Sequence, residues 1–234
     1  MLGIGRRSGG DPDFASVVLL ACNESGADAG TTFDDASLSN HTLTANGTAA
    51  WDDAQAPTGQ TSSLLSTGNG NFLSAADDAD FDVADGLFTL EGWTRWSSVA
   101  SFRTVYSKRT NFSTFANLVV LRNGTSLALF ATSNGTSWDI ANGSAIGTVA
   151  IDTWYSWAVT YDGATIRKFL NGAKNATDIS STAVITNGGT ATVKIGAEAA
   201  SQTGSQWVAS VRLNKGVCRY TANYTPPDLP LLTS

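Results

Sequence analysis

The sequence has little of the residue types that carry most protein chemistry. Its 234 residues include one histidine, two cysteines, three glutamates and five prolines, and charged residues make up only 15%. These counts exclude a zinc site of four cysteines or of two cysteines and two histidines, a two-histidine metal motif and a disulfide framework. A Ser/His/Asp triad would have to use His41.

Long apolar runs and an excess of positive charge are also missing. No run of 18 apolar residues occurs, so we expect no membrane partner. Residues 1–90 carry thirteen acidic and two basic side chains, and residues 91–234 carry seven and twelve, which gives net charges of −11 and +5. The sum of −6 predicts no nucleic-acid partner, because phosphate binding needs a basic surface. The split fits two domains, or one domain with differently charged faces.

Turn dipeptides and short alternating strands dominate what is present. Asn-Gly occurs seven times and Asp-Gly twice, and these dipeptides tolerate the positive φ of tight hairpins, so we interpret all nine as hairpin turns. In 157–161 and 88–90 every second residue is apolar, as in strands with one buried face. No segment has a helical pattern. The predicted strands are 16–21, 88–96, 118–122, 127–131, 154–161, 165–170, 192–195 and 206–213.

This spacing predicts an all-β sandwich or barrel. We divide the chain into a flexible N-terminal arm (1–13), a single domain (14–227) and a C-terminal tail (228–234) that follows a Pro-rich turn. The segment MLGIGRRSGG has no apolar stretch after its arginines, so we do not expect it to be a secretory signal.

Acidic clusters give weak calcium candidates. The stretch 77–86 fails the EF-hand pattern, with Val83 and Thr89 at the positions of the glycine and the bidentate glutamate, and a solvated loop is the favoured interpretation. Asp34 and Asp35 form a second candidate, although such a pair is more often a turn whose side chains bond their own backbone. We therefore predict no cofactor, with structural calcium as the alternative.

The tryptophans divide by their neighbours. Those at 93, 96, 154, 157 and 207 lie in apolar segments and are mostly predicted to be core. Trp51 and Trp138 have polar neighbours, and each is either a half-buried packing residue or a platform for sugar stacking. For the second alternative we name Trp138 with Asp139 and Asn134, whose side chains could bond hydroxyl groups.

The two cysteines lie beside the first and last predicted strands. Because terminal strands of a sandwich often pair, Cys22 and Cys218 could approach each other and form a bridge. Two buried free thiols are the favoured interpretation for a chain made in a reducing cytosol.

Several of these segments resemble one known family. FTLEGWTRW at 88–96, DTWYSWAVTYDG at 152–163, RKFLNG at 167–172, KIG at 194–196 and WVASVR at 207–212 are similar, in the expected order, to strands of the concanavalin A-like lectin/glucanase superfamily in its laminin-G-like and pentraxin-like branch. The resemblance implies a two-sheet antiparallel jelly roll of about a dozen strands over residues 14–227. The laminin-type calcium ligands and the Glu-x-Asp-x-Glu motif of the glucanases are not matched, so neither calcium dependence nor hydrolase activity is implied.

The segment VRLNKGVCRYTANYTPP at 211–227 resembles the tail of such domains in virion proteins of tailed bacteriophages. This implies a non-enzymatic virion protein, assembled in the host cytoplasm, with capsid or tail proteins and a host-surface glycan as partners. We expect a homo-oligomer, and we expect Arg6 and Arg7 to lie in the arm that attaches it to the particle. The alternatives are a carbohydrate-binding module of a secreted or cell-surface bacterial protein and, less favoured, a glycoside hydrolase.

Overall fold

A computed structural model describes residues 10–68, 70–84, 86–111, 113–115, 117–197 and 202–234. These residues form sixteen strands and two three-residue 3-10 helices, at Phe14–Ser16 and Ala79–Phe81. The strands are β1 (Val17–Ala21), β2 (Thr44–Asn46), β3 (Ala50–Asp52), β4 (Ser63–Thr67), β5 (Asn71–Ala75), β6 (Phe88–Trp96), β7 (Arg103–Lys108), β8 (Leu118–Asn123), β9 (Ser126–Ala131), β10 (Ala141–Thr148), β11 (Tyr155–Tyr161), β12 (Thr165–Leu170), β13 (Ala173–Lys174), β14 (Ile179–Ser180), β15 (Val193–Ala197) and β16 (Ser205–Lys215).

The strands form two antiparallel sheets packed face to face. The nine-stranded sheet has the order β13-β12-β11-β6-β16-β4-β3, with β1 beside β16 and β14 beside β12. The seven-stranded sheet has the order β10-β9-β8-β7-β15-β5-β2. The predicted all-β jelly-roll sandwich is therefore confirmed. Strands from both halves of the chain are neighbours in both sheets, so the charge split marks no boundary between domains.

The core lies between the sheets and follows the predicted alternation. Phe88 and Leu90 of β6 and Trp157, Val159 and Tyr161 of β11 all point into it. The registers place Phe88 opposite Tyr161 and Leu90 opposite Val159. Directly opposed apolar side chains on one face are the unit of sheet stabilisation.

The prediction that the tryptophans are mostly core holds for two of the five. Trp96 and Trp157 are fully buried, whereas Trp93, Trp154 and Trp207 are half-buried. Trp93 and Trp96 are three residues apart in one strand, so the two-residue period sends them to opposite faces. Trp207 lies across from Arg95, whose guanidinium carbon is 4.9 Å from the centre of its ring.

The turn dipeptides have more than one role. Asn123-Gly124, Asp162-Gly163 and Asn171-Gly172 close the hairpins β8–β9, β11–β12 and β12–β13, as predicted. Asn46-Gly47 instead connects β2 of one sheet to β3 of the other, and Asn142-Gly143 lies inside β10 where its register shifts. The prediction that all nine dipeptides form hairpins is therefore wrong.

The terminal strands β1 and β16 do pair, but the pairing separates the cysteines. Ala21 is opposite Val211 and Val17 is opposite Asn214, so Cys22 lies beyond one end of the ladder and Cys218 beyond the other. Both thiols are free. Cys22 is buried and Cys218 is half-buried, so the predicted free thiols are confirmed and the alternative of a bridge is wrong.

Segments from both chain ends cover the outer face of the nine-stranded sheet. Phe14, Val17 and Leu20 pack there against Leu229 and Leu231 of the predicted tail. The amide of Asp11 donates a 2.6 Å hydrogen bond to the carbonyl of Ser234, so the two described ends of the chain meet.

A network of buried charges secures this covering. Arg212 of β16 pairs with Glu91 of β6 at 2.6 Å and with Asp11 at 2.7 Å. Arg219 donates to both carboxylate oxygens of Asp11, at 2.6 and 2.7 Å, and the Tyr220 hydroxyl bonds Glu91 at 3.0 Å. We call these five residues the Asp11 network. Residues 10–13 were predicted to belong to a flexible arm, and the structure instead holds Asp11 against the sheet.

The sandwich has two ends. Ala75, Lys108, Leu118, Ala131 and Ala141 lie at one of them, as the registers of β5, β15, β7, β8, β9 and β10 show. We call this the Trp138 end, because the loop between β9 and β10 leaves from it. The opposite end, where β7 begins and β8 turns into β9, is called the Arg103 end.

Candidate functional site

The three predicted carbohydrate-binding residues lie in one loop, residues 132–140 between β9 and β10. One carboxylate oxygen of Asp139 accepts hydrogen bonds from the Thr132 hydroxyl and the Ser133 amide, both at 2.9 Å. The other accepts one from the Ser133 hydroxyl. Asp139 is exposed to solvent, but it also ties the end of the loop to its start.

Asn134 organises the tip of the same loop. Its side-chain oxygen accepts hydrogen bonds from the amides of Thr136 at 2.8 Å and Ser137 at 3.0 Å, as in an Asx turn. Its amide nitrogen donates to the Ser137 hydroxyl at 3.1 Å. Asn134 and Asp139 therefore hold the loop in one shape, a role that the sequence prediction did not assign to them.

The hydrogen bonds also set the charge of Asp139. Donation from the Ser133 hydroxyl and amide, aided by Thr132, outweighs the small effect of burial and lowers the pKa of Asp139 to about 2. A carboxylate that is ionised at neutral pH is an acceptor only. The loop therefore presents a fixed negative acceptor one residue from Trp138.

Trp138 lies half-buried on two other aromatic rings. Its ring meets Phe115 edge to face at 5.2 Å between centroids, and Phe130 at 5.5 Å. Both phenylalanines are themselves half-exposed. Phe130 lies on the outer face of β9, because its neighbours Leu129 and Ala131 point into the core. We call Phe115, Phe130 and Trp138 the aromatic cluster.

The sequence prediction missed two members of this cluster. The alternation in β9 carries a signal for Phe130, since an aromatic residue between two core positions must face outward. Phe115 comes from residues 109–117, which connect β7 to β8, and its sequence neighbours carry no periodic signal. The arrangement offers an aromatic surface beside a carboxylate and an amide, which suits a ligand with both apolar and hydroxyl faces.

The second tryptophan considered as a platform is a packing residue. Trp51 of β3 is buried, stacks on Phe33 at 4.4 Å between centroids, and donates from Nε1 to the carbonyl of Thr32 at 2.8 Å. Its ring and its polar atom both have partners inside the protein.

The calcium candidates differ in exposure. Asp34 is exposed, whereas Asp35 is buried and both its carboxylate oxygens accept hydrogen bonds. One oxygen bonds the amides of Leu20 and Ser37, and the other bonds the Ser37 hydroxyl and the amide of His41, at 2.8 to 3.0 Å. Asp35 therefore forms the local turn that the sequence analysis favoured for this pair. Calcium prefers six to eight oxygen ligands, and the protein's own donors use these two oxygens.

The acidic stretch 77–86 is tied down by basic groups in its described part. The fully buried ammonium of Lys108 pairs with Asp77 at 2.8 Å and Asp82 at 2.9 Å. The ligand atoms of His41, Asp78 and Asp80 lie within 4.8 Å of one another. Among the described residues, these three side chains form the cluster that could hold a metal ion. Three such ligands are few for calcium.

The single histidine does not have the geometry of a triad. His41 Nε2 lies 3.2 Å from Asp80, and the Ser39 hydroxyl donates to the same oxygen at 2.6 Å. A triad needs the imidazole between the hydroxyl and the carboxylate, whereas here the carboxylate lies between them. The other predicted residues, Arg6 and Arg7, lie outside the described part of the chain.

The described residues contain no helix that is long and apolar enough to span a membrane.

Comparison with known families agrees with the fold. A laminin G family model, described as the concanavalin A-like lectin/glucanases superfamily, matches residues 67–212, from the end of β4 into β16. The chain belongs to this superfamily. The resemblance noted in the strands is thereby confirmed at the level of the superfamily. The two antiparallel sheets described above form the lectin-like sandwich of this superfamily. No curated protein sequence matches the chain.

Solved structures with the same fold include receptor-binding domains of toxins. The binding domain of botulinum neurotoxin serotype C1 has a TM-score of 0.61 at 12% identity, over 86% of this chain and 49% of that one. The type G receptor-binding domain has a TM-score of 0.59 at 13% identity, over 88% and 49%. A third structure belongs to botulinum neurotoxin type C, whose cell entry depends on two ganglioside molecules. It has a TM-score of 0.62 at 14% identity, over 86% of this chain and 48% of that one. The chain spans about half the length of these structures, and such identities show the fold alone.

Proposed function

We propose that this lectin-like domain is a non-enzymatic adhesion module of a tailed-bacteriophage virion and that it binds a host-surface glycan at its Trp138 end. The observation that carries the glycan site is the half-exposed Trp138, seated on Phe115 and Phe130 in a loop that internal hydrogen bonds hold in one shape. A loop that is already ordered loses little conformational entropy on binding.

The comparisons support binding rather than catalysis. Two of the similar structures are toxin binding domains, and a third belongs to a type C toxin whose cell entry depends on two ganglioside molecules, which are glycolipids. Glu91 is buried, and its carboxylate is hydrogen-bonded to Arg212 and Tyr220. Hydrolysis needs two carboxylates that face the substrate. Release of reducing ends from a β-glucan panel would contradict the non-enzymatic proposal.

The virion placement rests on the resemblance of residues 211–227 to virion proteins. Arg212, Arg219 and Tyr220 of that segment belong to the Asp11 network, which gives the segment a folding role in this chain. The proposal adds capsid or tail proteins as partners, a homo-oligomeric state that multiplies weak glycan contacts, and assembly in the host cytoplasm. Mass spectrometry and cryo-electron microscopy of purified particles test it, and absence of the chain from them would favour the carbohydrate-binding module of a secreted or cell-surface protein.

The glycan site is tested by Trp138→Ala on a glycan array and by titration against the best glycan found. We expect binding to weaken at least tenfold, because the ring supplies the stacking surface. Trp154→Ala is the matched control, since Trp154 is also half-buried but lies at the Arg103 end, between β10 and β11. Equal affinity of the wild type and Trp138→Ala would remove the residue from the site.

The attachment role of Arg6 and Arg7 is tested by deleting residues 1–9. A deletion of 1–13 would also remove Asp11, whose ion pairs hold the sheet covering in place, and would confuse attachment with folding. We expect the shorter deletion to keep the wild-type thermal unfolding temperature and to lower occupancy on particles. Wild-type occupancy would show that the arm is not the attachment segment.

A further inference from the structure

Two arginines lie side by side in the interior at the Arg103 end. Arg103 begins β7 and Arg122 lies in β8, and the two are directly opposite each other in the antiparallel ladder. Directly opposite side chains share one face of the sheet, with Cβ atoms about 5 Å apart. Arg103 is 1% exposed and Arg122 is 0% exposed. Like charges in this position repel each other, and burial strengthens the repulsion.

Their hydrogen bonds go to neutral acceptors. Arg103 donates to the carbonyl oxygens of Gly68 and Gln202, both at 3.3 Å, and to that of Ser66. Arg122 donates to the carbonyl of Gly124 at 2.8 Å. Its guanidinium carbon also lies 5.6 Å from the centre of the Trp96 ring, a weak compensation for a full charge.

Three guanidinium nitrogens remain without a partner: Nε of Arg103, and Nε and one terminal nitrogen of Arg122. Within the described ranges, no carboxylate lies within 4.0 Å of either guanidinium. Two other buried cations differ in this respect. Arg212 has Glu91 and Asp11, and Lys108 has Asp77 and Asp82.

Burial lowers the pKa of both arginines. Burial, followed by the charge of Arg122, lowers the pKa of Arg103 to about 10, and burial alone lowers the pKa of Arg122 to about 10. Both groups are still protonated at neutral pH. Two buried cations that have no counter-charge among the described residues are costly, and a buried donor without an acceptor adds to that cost.

We propose that Arg103 and Arg122 form a binding site for a small oxyanion, of which phosphate is the type. Two guanidinium groups with unpartnered N–H donors match the several acceptor oxygens of such an ion, and charge-assisted bonds of this kind are the strongest hydrogen bonds in proteins. The ion would supply a negative charge and accept hydrogen bonds that the described part of the chain does not provide.

The proposed site lies next to the β8–β9 hairpin turn. Arg122 is followed by Asn123, which is exposed, and by Gly124, whose turn accepts the Arg122 hydrogen bond. A Cβ built on Gly124 meets no atom within 4 Å, so this hairpin turn has open space beside it. The unpartnered nitrogens of Arg122 are buried, so the proposal requires this two-residue turn to move when the ion binds. The site is at the opposite end from Trp138, so it is independent of the proposed glycan site.

The proposal is tested on the full chain by differential scanning fluorimetry and isothermal titration calorimetry. Sodium phosphate is compared with sodium chloride at matched ionic strength, and glucose 6-phosphate is used as a second ligand. We expect phosphate to raise the unfolding temperature by several degrees in a saturable way and to bind with 1:1 stoichiometry. A response to glucose 6-phosphate as well would show that the site also admits an oxyanion carried on a sugar.

Arg122→Gln should abolish the response, and Arg122→Lys should weaken it at least tenfold, because lysine keeps the charge but lacks the fork of donors. Arg167→Gln is the control, since Arg167 belongs to the other sheet and pairs with Asp162. The absence of a phosphate-specific response in the wild type would overturn the proposal, even if both Arg122 variants failed to fold. An unchanged response in a folded Arg122→Gln protein would do the same.

Discussion

Replacement of Asp11 by alanine is expected to destabilise the whole domain, although Asp11 lies far from its core. The side chain of Asp11 is 5% exposed, and those of its partners Arg212 and Arg219 are 3% and 11% exposed. Removing one partner of a buried ion pair typically costs about 3–5 kcal/mol, because the remaining charge is left without compensation. Arg212 keeps Glu91, and Arg219 keeps a 2.9 Å hydrogen bond to Asn214.

Because these partners remain, we expect the lower end of that range, about 3 kcal/mol. For a domain of this size, that loss lowers the unfolding temperature by roughly 6–12 °C. Urea unfolding measures the free energy and thermal unfolding the temperature. Asp178→Ala is the control, because its pair with Lys174 is partly exposed and contributes at most about 0.5 kcal/mol.

Acid provides a second measurement of the same interaction. Burial raises the pKa of the Asp11 carboxyl, but hydrogen bonds from Arg219 and the Asp13 amide, with the charges of Arg219 and Arg212, hold it below its ordinary value. A carboxyl with a lowered pKa stabilises the folded state above its unfolded pKa, and that stabilisation is lost as the pH falls through its folded pKa. The wild type should therefore lose stability below about pH 4 more steeply than Asp11→Ala. A loss of less than about 1 kcal/mol at neutral pH, together with identical acid profiles, would refute this account.

Two further predictions concern the backbone at Tyr224 and the thiols. Both Gly172 and Gly163 have positive φ, but a Cβ at Gly172 would lie 1.9 Å from the carbonyl oxygen of Tyr224, while one at Gly163 meets nothing within 4 Å. Gly172→Ala should therefore destabilise the domain more than Gly163→Ala in urea, and equal midpoints would show that the backbone at Tyr224 moves aside without cost. Ellman's reagent should titrate one thiol per native chain and two thiols after unfolding. Burial raises the pKa of Cys22 and shields its thiol from the reagent, whereas Cys218 is half-buried. Two reactive thiols in the native protein would contradict the burial of Cys22.

The strands with regular alternation could be predicted from the sequence. The predicted ranges 88–96 and 165–170 coincide with β6 and β12. Each of the other six predicted strands differs from the observed strand by one or two residues at one end or at both ends. In these segments local propensity, period and turn residues agree, so tertiary contacts had little to change.

The missed strands contain residues that usually indicate a surface or a turn. All six residues of β7 are buried, yet the strand begins with Arg103 and ends with Lys108. Buried arginine and lysine are rare without partners in space, and those partners come from distant parts of the chain. In β10 the dipeptide Asn142-Gly143 interrupts the pattern at a register shift, so an edge strand had the sequence of a turn.

The sequence places Trp138, Asn134 and Asp139 close together in one segment, but their roles inside the loop could not be predicted. Trp51 also has polar neighbours and is buried, so polar neighbours alone did not separate an exposed tryptophan from a buried one. The use of Asn134 and Asp139 as anchors of their own loop depends on side-chain geometry that no spacing rule contains. The contact between Phe115 and Trp138 joins two loops that are distant in sequence, so it has no local signal.

The hydrogen bond between Asp11 and Ser234 makes this domain suitable for insertion into other proteins and for circular permutation. Asp11 and Ser234 are adjacent, so residues 11–234 could be inserted into a surface loop of another protein without separating the two ends of that loop. A few glycines could equally join the two ends and allow new ones to be opened at the exposed Gly135 in the 132–140 loop. Such a circular permutant would carry its new ends beside Trp138, and the strands and their neighbours would be unchanged.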